Sequence, residues 1–188
     1  VLIAHGVPQK DAHLLSDSLV AAELWGHSSH GMLRLPWYVE RLRSGVMKAN
    51  TQSQTVVDSG ALVVIDGCDG IGQVLTAQAT HLGIERARLH GVSAVGVRNS
   101  NHFGTAAYFT RMSAEAGCVA FLATNASPAM AAWGGKQKTI GTRQAMIDEL
   151  FPMATLITPN MDEASLLLGR DILGPDDFKL AAQQLLDM

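Results

Sequence analysis

The sequence has little that would commit it to a metal, a disulfide framework, a membrane or nucleic acid. Its two cysteines, Cys68 and Cys118, lie far apart without metal-ligand spacing, so we expect reduced thiols, a cytoplasmic protein and no bound metal. No apolar run is long enough to cross a bilayer and no signal peptide precedes Val1, so we expect no membrane partner. The net charge of −3 gives no electrostatic reason to expect nucleic-acid binding.

The glycine fingerprint of the common dinucleotide-binding fold is also missing. Gly67, Gly70 and Gly72 follow an expected strand, but their spacing is not G-x-G-x-x-G. No acidic residue ends a second strand where a ribose would need a partner. We interpret residues 66–72 as a glycine-rich turn.

What is present is a globular pattern, with 47% hydrophobic and 16% charged residues over 188 positions. Apolar periodicity with glycine stops predicts helices over 11–25, 36–43, 73–90 and 105–116. Buried strands are predicted over 61–65, 92–97 and 118–123, an irregular or edge segment over 50–60, and loops from 128 to 142. The fold class is therefore α/β: N-terminal helices, then a partial mixed or parallel sheet with covering helices. Ligands of such sheets gather at the carboxyl ends of strands, where His102 and Asn125 are expected.

A first histidine-centred run, GHSSHG at 26–31, leads to Arg34. His30 is of the residue type best able to gain and lose a proton near neutral pH, and Ser29 could orient it. An arginine four residues later could hold a carboxylate by two hydrogen bonds if the intervening turn is helical. This combination suits chemistry on a 2-hydroxy or 2-oxo acid.

Two other interpretations of this run stay open. The histidines could be surface residues of a capped turn, with Arg34 paired to Glu40. Alternatively, His27 and His30 could bind zinc, although a third ligand and a presenting helix would be needed.

A second run, NSNHFG at 99–104, joins an expected strand to an expected helix. The free backbone N–H groups of such a helix start could hold a phosphate beside Gly104, Thr105 and Ala106. His102 and Phe103 could then flank a nicotinamide or ribose. The alternative is a polar turn with a capping asparagine and a buried phenylalanine.

Three segments closely resemble the malate/L-lactate dehydrogenase family, which includes ureidoglycolate, sulfolactate and cyclic-imine reductases. They are GHSSHGMLRLPWY at 26–38, RNSNHFG at 98–104 and GGKQKTIGT at 134–142. The resemblance covers residues 1–142 without interruption. It implies that family's own NAD(P)-binding fold and dimers that reduce 2-oxo acids with a nicotinamide hydride.

The resemblance also assigns roles to individual residues. His30 matches the proton donor, with Ser29 beside it in the relay, and Arg34 matches the arginine that binds the substrate carboxylate. The cofactor loop corresponds to His102, Phe103, Gly104, Thr105 and Ala106. Thr142 matches a threonine near the substrate.

The family motif continues G-T-N-P, whereas Arg143 and Gln144 follow Thr142 here. Less than half of a family member is therefore expected, without the aspartate that completes the relay. Residues 143–188 instead resemble the hydroxymethylpyrimidine/phosphomethylpyrimidine kinases of the ribokinase-like fold. Asn160 and Glu163 match that family's N-x-x-E motif for Mg²⁺ and ATP, although the same residues could simply cap a helix.

The sequence thus predicts two segments, a partial dehydrogenase domain over 1–142 and a kinase-like fragment over 143–188. The leading function is NAD(P)-dependent hydride transfer between nicotinamide and a small 2-hydroxy or 2-oxo acid, with weak activity or none. The alternatives are a pyrimidine kinase that uses ATP and Mg²⁺, or a non-functional chimeric fragment. We expect a homodimer or self-association through exposed apolar surface.

Overall fold

The computed structural model describes residues 1–125, 130–131 and 138–140. It contains four helices in this part of the chain: α1 (Gln9–Leu24), α2 (Leu35–Arg43), α3 (Gly72–His90) and α4 (Ala106–Glu115). Short 3₁₀ turns span Ile3–His5, Ser28–His30 and Met32–Arg34. All four helices predicted from the sequence are confirmed. Thr142, Asn160 and Glu163, with the whole of 143–188, lie outside the described residues.

The N-terminal helices pack on the start of α3. α1 buries one face through Ala12, Leu15, Leu19 and Ala22, a spacing of three to four residues that keeps them on one side of a helix. From α2, Tyr38 enters the same core with no exposed surface. The buried cluster consists of Leu2, Val7, Ala12, Leu15, Leu19, Tyr38, Met47, Ile71 and Val74. This cluster fixes α2 against the beginning of α3.

A three-stranded sheet follows, in the order β1 (Gln54–Asp58), β2 (Leu62–Gly70) and β3 (Ala94–Ser100). β2 is the central strand; β1 runs antiparallel to it, while β3 is parallel to it and connected through α3. Alternate residues of β2, including Val63 and Ile65, are buried, and Ala79 of α3 joins their cluster. The predicted α/β class and small mixed sheet are confirmed.

The glycine-rich segment 66–72 is not a simple turn, so that prediction was wrong. β2 continues to Gly70. Asp66 pairs with Arg98 and Gly70 pairs with Ser100, so three residues of β2 lie opposite the single residue Asn99 of β3. The two extra residues of β2 form a β-bulge, in which Cys68 (φ 48°) and Asp69 (φ 62°) have left-handed backbone conformations. Asn99 (φ 49°), on the opposite strand, is left-handed as well. This bulge ends the parallel pairing just before His102.

Two further predictions differ from the structure. Residues 118–123 are not a strand, and Val119 and Phe121 expose 105% and 83% of their surface. An apolar run forms a strand only beside a hydrogen-bonding partner, and the pairs described for this chain give it none. Asn125 therefore does not follow a strand end. Conversely, the expected loop after 128 contains β4 (Met130–Ala131) paired antiparallel with β5 (Lys138–Ile140).

The chain divides into two units, Val1–Ala123 and Thr124–Met188. α1 to α4 and β1 to β3 belong to the first unit, as do both histidine-containing loops described below. Within the described part of the chain, no helix combines the length and apolarity that crossing a bilayer requires.

Candidate active site

The first loop, residues 26–34, is held by a carboxylate from the end of α1. Glu23 accepts hydrogen bonds from Ser28 Oγ at 2.7 Å and from the backbone N–H of Met32 at 3.0 Å. Gly31 lies against this carboxylate so closely that a Cβ there would overlap it. The two hydrogen bonds hold the pKa of Glu23 below its usual value. The loop is therefore shaped by contacts made within nine residues of sequence.

His30, Ser29 and Arg34 lie together in this loop. Ser29 Oγ is 3.0 Å from His30 Nδ1, which leaves the Nε2 atom of the imidazole for another partner. Arg34 Nε donates to the Ser29 carbonyl oxygen at 2.6 Å and does not pair with Glu40. The intervening chain forms two 3₁₀ turns that meet at Gly31, not a continuous α-helical turn. The predicted juxtaposition of His30 and Arg34 is thus achieved by a different backbone path.

The second loop, residues 99–105, is held by contacts distant in sequence. The buried Asn101 side chain donates to the carbonyl oxygens of Asp69 at 2.8 Å and Gly70 at 3.0 Å. Its Oδ1 accepts two hydrogen bonds from Arg41 of α2, at 3.0 and 2.6 Å. Asn101 therefore does not cap the following helix, as one interpretation of the sequence predicted. Its side chain instead connects the loop to β2 and α2 by hydrogen bonds.

Gly72 allows this loop to approach α3. A Cβ at this position would overlap the carbonyl oxygens of Asn101 and His102. Because the first residue of α3 is a glycine, the loop backbone lies directly on the helix start. Gly72, predicted to end a glycine-rich turn, thus permits a close backbone contact.

His102 is the end of a buried hydrogen-bond chain. Gln73 Nε2 donates to Tyr38 Oη at 2.9 Å, and Tyr38 Oη is 2.7 Å from His102 Nδ1. The backbone N–H of Gly104 also donates to His102 Nδ1, at 3.2 Å. The other amide atom of Gln73, Oε1, is buried without a partner among the described residues. The ring is thus fixed from one side only.

The two loops meet at their histidines. The rings of His30 and His102 are stacked with centroids 5.6 Å apart, and Trp37 meets His102 edge-on at 5.5 Å. The Arg34 guanidinium lies 5.7 Å from the Trp37 ring centre, and that of Arg41 lies 4.9 Å away on the same ring. The structure therefore brings two imidazoles, an indole and two guanidinium groups into one cluster, which consists of His30, Arg34, Trp37, Arg41 and His102.

This environment favours neutral imidazoles. Burial lowers the pKa of His102 to about 4, and the charges of Arg34, His30 and Arg41 contribute. Burial also lowers the pKa of His30, with smaller contributions from Arg34 and His27. Burial raises the pKa of Tyr38 to about 12, so its hydroxyl stays protonated.

The rest of the predicted cofactor loop leads into α4. Phe103 is half-buried and meets Phe109 edge-on at 5.9 Å. Thr105 precedes the helix without capping it through its side chain, and Ala106 is the first helical residue. The helix therefore begins with small residues and with backbone N–H groups that no side chain caps.

Sequence reasoning missed several residues that position these loops, namely Glu23, Tyr38, Arg41, Gln73 and Asn101. A signal existed for Tyr38, because Leu35, Tyr38 and Leu42 share one face of α2 and a buried tyrosine needs a hydroxyl partner. No comparable pattern marks Gln73.

Two other features of the described residues lie apart from this cluster. Nowhere in that part of the chain do three His, Cys, Asp or Glu side chains come together as metal ligands would, His27 and His30 included. A wide, shallow depression along α3 is lined by His81, Ile84, Glu85, Arg88 and Leu89, and shares no residue with the cluster.

Comparison with known proteins gives the cluster a context. The sequence profile described as malate/L-lactate dehydrogenase matches residues 1–146, more than three quarters of the chain. The chain belongs to the malate/L-lactate dehydrogenase family. Both loops and the whole imidazole cluster fall inside the matched residues.

Individual relatives agree. The chain is 40% identical over 147 residues to L-sulfolactate dehydrogenase of Methanocaldococcus jannaschii, covering 78% of this chain and 43% of that protein. It is 36% identical over 166 residues to malate dehydrogenase of Pyrococcus abyssi, covering 85% and 46%. The solved structure of the M. jannaschii sulfolactate dehydrogenase superimposes with a TM-score of 0.65 at 30% identity, covering 97% of this chain and 63% of that one. The chain thus spans less than half the length of these two curated relatives.

A second profile, described as phosphomethylpyrimidine kinase, matches residues 123–188 and overlaps the first between 123 and 146. Nearly all of that span lies outside the described residues. The junction at 142/143, the ribokinase-like segment and the Mg²⁺/ATP roles of Asn160 and Glu163 remain predictions.

Proposed function

We propose that this chain carries the proton-transfer and carboxylate-binding residues of a NAD(P)-dependent 2-hydroxy-acid dehydrogenase. The observation that carries the proposal is the meeting of His30, Arg34 and His102 in one cluster. The names of the relatives, malate and L-sulfolactate dehydrogenases, indicate the substrate class, a small 2-hydroxy or 2-oxo acid. Because the chain spans less than half of those proteins, we expect weak turnover or none.

In this proposal, His30 transfers the proton. Ser29 occupies the Nδ1 side of the imidazole, so Nε2 is the atom available to the substrate oxygen. During reduction, the His30 imidazolium gives its Nε2 proton to the oxygen at C2 of the oxo acid, and a neutral imidazole remains. In the reverse direction the neutral imidazole accepts that proton.

Arg34 would bind the substrate carboxylate. Its Nε is committed to the Ser29 carbonyl oxygen, and its terminal nitrogens have no hydrogen-bond partner among the described residues. A guanidinium fixed at Nε still offers its two terminal nitrogens to a carboxylate. The same contact fixes the distance between the cation and His30. Thr142 remains a proposed second contact to the substrate.

The residues of the second loop fit a nicotinamide cofactor, which supplies the hydride when bound. His102 is half-buried, and its Nε2 makes no hydrogen bond within the described part of the chain. No side chain caps the start of α4, where the backbone N–H groups of Thr105 and Ala106 could stabilise a phosphate, while the Gly104 N–H is already bonded to His102 Nδ1. We propose that residues 102–106 hold NAD or NADP; nothing among them distinguishes the two.

The test replaces His30 with glutamine, and a matched His13→Gln variant changes an exposed histidine of α1. NADH fluorescence should respond to the wild type and to both variants, because His30 is not needed to hold the dinucleotide. Loss of a general acid should lower any oxo-acid reduction by about 10²–10⁴-fold in His30→Gln alone. Absence of an NADH response in the wild-type chain would end the proposal.

The pH dependence gives a second readout. Because the pKa of His30 is lowered, its cationic form is scarce at neutral pH, so reduction should speed up as the pH falls toward that pKa. Oxidation of the hydroxy acid needs the neutral imidazole and should weaken over the same range. Rates with the same sign of pH dependence in both directions would contradict this role.

A further inference from the structure

The direction of the hydrogen-bond chain that ends on His102 is fixed by one backbone group. The Gly104 N–H can only donate, so the Nδ1 atom that it contacts at 3.2 Å must be unprotonated. Tyr38 Oη, 2.7 Å from the same atom, must then donate its proton to Nδ1. The phenol oxygen is left to accept from Gln73 Nε2 at 2.9 Å.

The opposite direction is excluded by the same group. If Gln73 presented its oxygen to Tyr38, the phenol would donate to Gln73 and accept a proton from His102 Nδ1. That Nδ1–H would then point at the Gly104 N–H, placing two donors against each other.

We propose that Tyr38 and Gln73 are positioning residues that lock His102 as a neutral imidazole with its proton on Nε2. The ring then presents a fixed N–H donor on the side turned away from Tyr38, in the cluster it forms with His30. Its partner is an oxygen acceptor of the bound dinucleotide, a step that rests on the proposed function. Both positioning residues are fully buried, so they act on the ligand only through His102.

The surroundings of His102 support a neutral donor in place of a cation. Among the described residues, the charged or titratable groups around the ring are Arg34 and Arg41 from the α2 region, His30 from the first loop and Tyr38. Both arginines repel an imidazolium, and no carboxylate is among these groups. Because a donor to Nδ1 stabilises only the neutral ring, the Tyr38 hydroxyl acts in the same direction.

The test is ¹⁵N NMR of histidine-labelled full-length chain, which reports the protonation of each ring nitrogen. In the wild type at neutral pH, His102 should show an unprotonated Nδ1 and a protonated Nε2. Tyr38→Phe keeps the buried ring and removes the closer of the two donors to Nδ1, leaving the longer Gly104 contact, so the His102 pKa should rise and a minor Nδ1–H population should become detectable. Gln73→Met should change the spectrum in the same direction by a smaller amount.

Tyr108→Phe is the matched control, because it removes a hydroxyl bonded to Asp17 at 2.6 Å, away from His102. It should leave both ring-nitrogen signals unchanged. A protonated Nδ1 in the wild type overturns the proposal without any variant. So does a folded Tyr38→Phe chain whose His102 tautomer and titration match those of the wild type.

Measuring NADH binding distinguishes failure of this inference from failure of the proposed function on which it rests. Loss of one directed hydrogen bond should weaken NADH binding to Tyr38→Phe by about three- to tenfold, with Tyr108→Phe unchanged. If the wild type shows the expected tautomer but binds no NADH, the proposed function fails while the lock on His102 stands. If NADH binds equally well to Tyr38→Phe, the tautomer has no role in positioning the ligand.

Discussion

The two loops that meet at the histidines are built in opposite ways. The first loop is held by the Glu23 carboxylate and by the Arg34 contact to Ser29, all within nine residues. The second is held through Asn101, whose partner Arg41 lies 60 residues away, and through His102, whose partner Tyr38 lies 64 residues away. The geometry of the first loop therefore depends on local contacts, while that of the second loop depends on contacts with residues distant in sequence.

This difference indicates that the two loops depend on different parts of the fold. The exposed first loop can place Ser29 and His30 once α1 and α2 exist, because its hydrogen bonds are local. The second loop needs the finished β2–α3–β3 unit, since both the bulge at 66–70 and the start of α3 contact it. A perturbation of the fold should therefore disturb His102 before it disturbs His30.

The largest expected effect is that of Gly72→Ala. The added methyl group would overlap the carbonyl oxygens of Asn101 and His102, and backbone atoms cannot rotate away as a side chain can. We expect a loss of about 1–3 kcal/mol in the free energy of unfolding, measured by urea denaturation. The His102 NMR signals should shift while those of His30 change less.

Gly83→Ala is its control on the same helix. A Cβ there would lie 3.6 Å from Ser93 Oγ and Val95 Cγ2, which is ordinary contact. Alanine has the better helix propensity, so the free energy of unfolding should be unchanged or raised by up to about 1 kcal/mol. Equal losses in the two variants would show that the close approach at Gly72 is not a constraint.

The second expected effect is a pH dependence to which His102 of the second loop contributes alongside His30, whose pKa is also lowered. The pKa of His102 is lowered to about 4 in the folded chain, so between pH 6.5 and 4 the unfolded chain binds more protons. Stability from this group is complete above its unfolded pKa and is lost as the pH falls through that window. Allowing for the partial exposure of the ring, we expect about 1–2 kcal/mol between pH 7 and pH 5.

His102→Gln removes that titration, so the loss between pH 7 and pH 5 should shrink by this amount in urea denaturation. Asp66 does not interfere, because its hydrogen bonds lower its pKa to about 2, well outside the window. His13→Gln serves as the control, since it alters an exposed histidine. An identical pH dependence in wild type and His102→Gln would show that His102 is not the titrating group.

The contrast between the loops also explains what the sequence could predict. The four helices follow from apolar periodicity and glycine stops. The short spacing of His30 and Arg34 indicates their proximity, although two 3₁₀ turns take the place of the assumed helical turn. Both are local properties of the chain. The resemblance to the family likewise depends on contiguous residues, so the amino-acid sequence is sufficient to reveal it.

What the sequence could not show is the origin of the second loop's rigidity. Gln73 looks like any polar residue at a helix start, and Asn101 looks like a helix cap, until α2 and β2 are placed around them. The strand predicted over 118–123 failed for the same reason, because strand formation depends on a neighbouring strand and not on composition alone. The glycines of segment 66–72 predict a turn, whereas the positive φ angles of the bulge fall on Cys68 and Asp69.

The smallest effect on global stability is expected in the first loop, from Glu23→Gln. The amide oxygen can accept one hydrogen bond, but it cannot accept strongly from both Ser28 and the Met32 N–H as the carboxylate does. Unfolding by urea should hardly change, while hydrogen exchange at the Met32 amide should accelerate and the His30 NMR signals should shift. His102 should change less than His30, because its hydrogen bonds to Tyr38 and Gly104 lie outside this loop, although its ring stacks on His30.

The sign of the pH effect follows from the lowered pKa of Glu23. The Glu23 charge stabilises the loop fully above the pKa of Glu23 in the unfolded chain, and this stabilisation is lost as the pH falls through its pKa in the folded chain. At low pH, the Met32 amide of the wild type should therefore exchange hydrogen nearly as fast as that of Glu23→Gln. Glu115→Gln, which removes an exposed partner of Arg111 at 2.7 Å, is the matched control and should leave Met32 unchanged. Faster exchange in the second loop, in place of the first, would contradict the local origin of the His30 geometry.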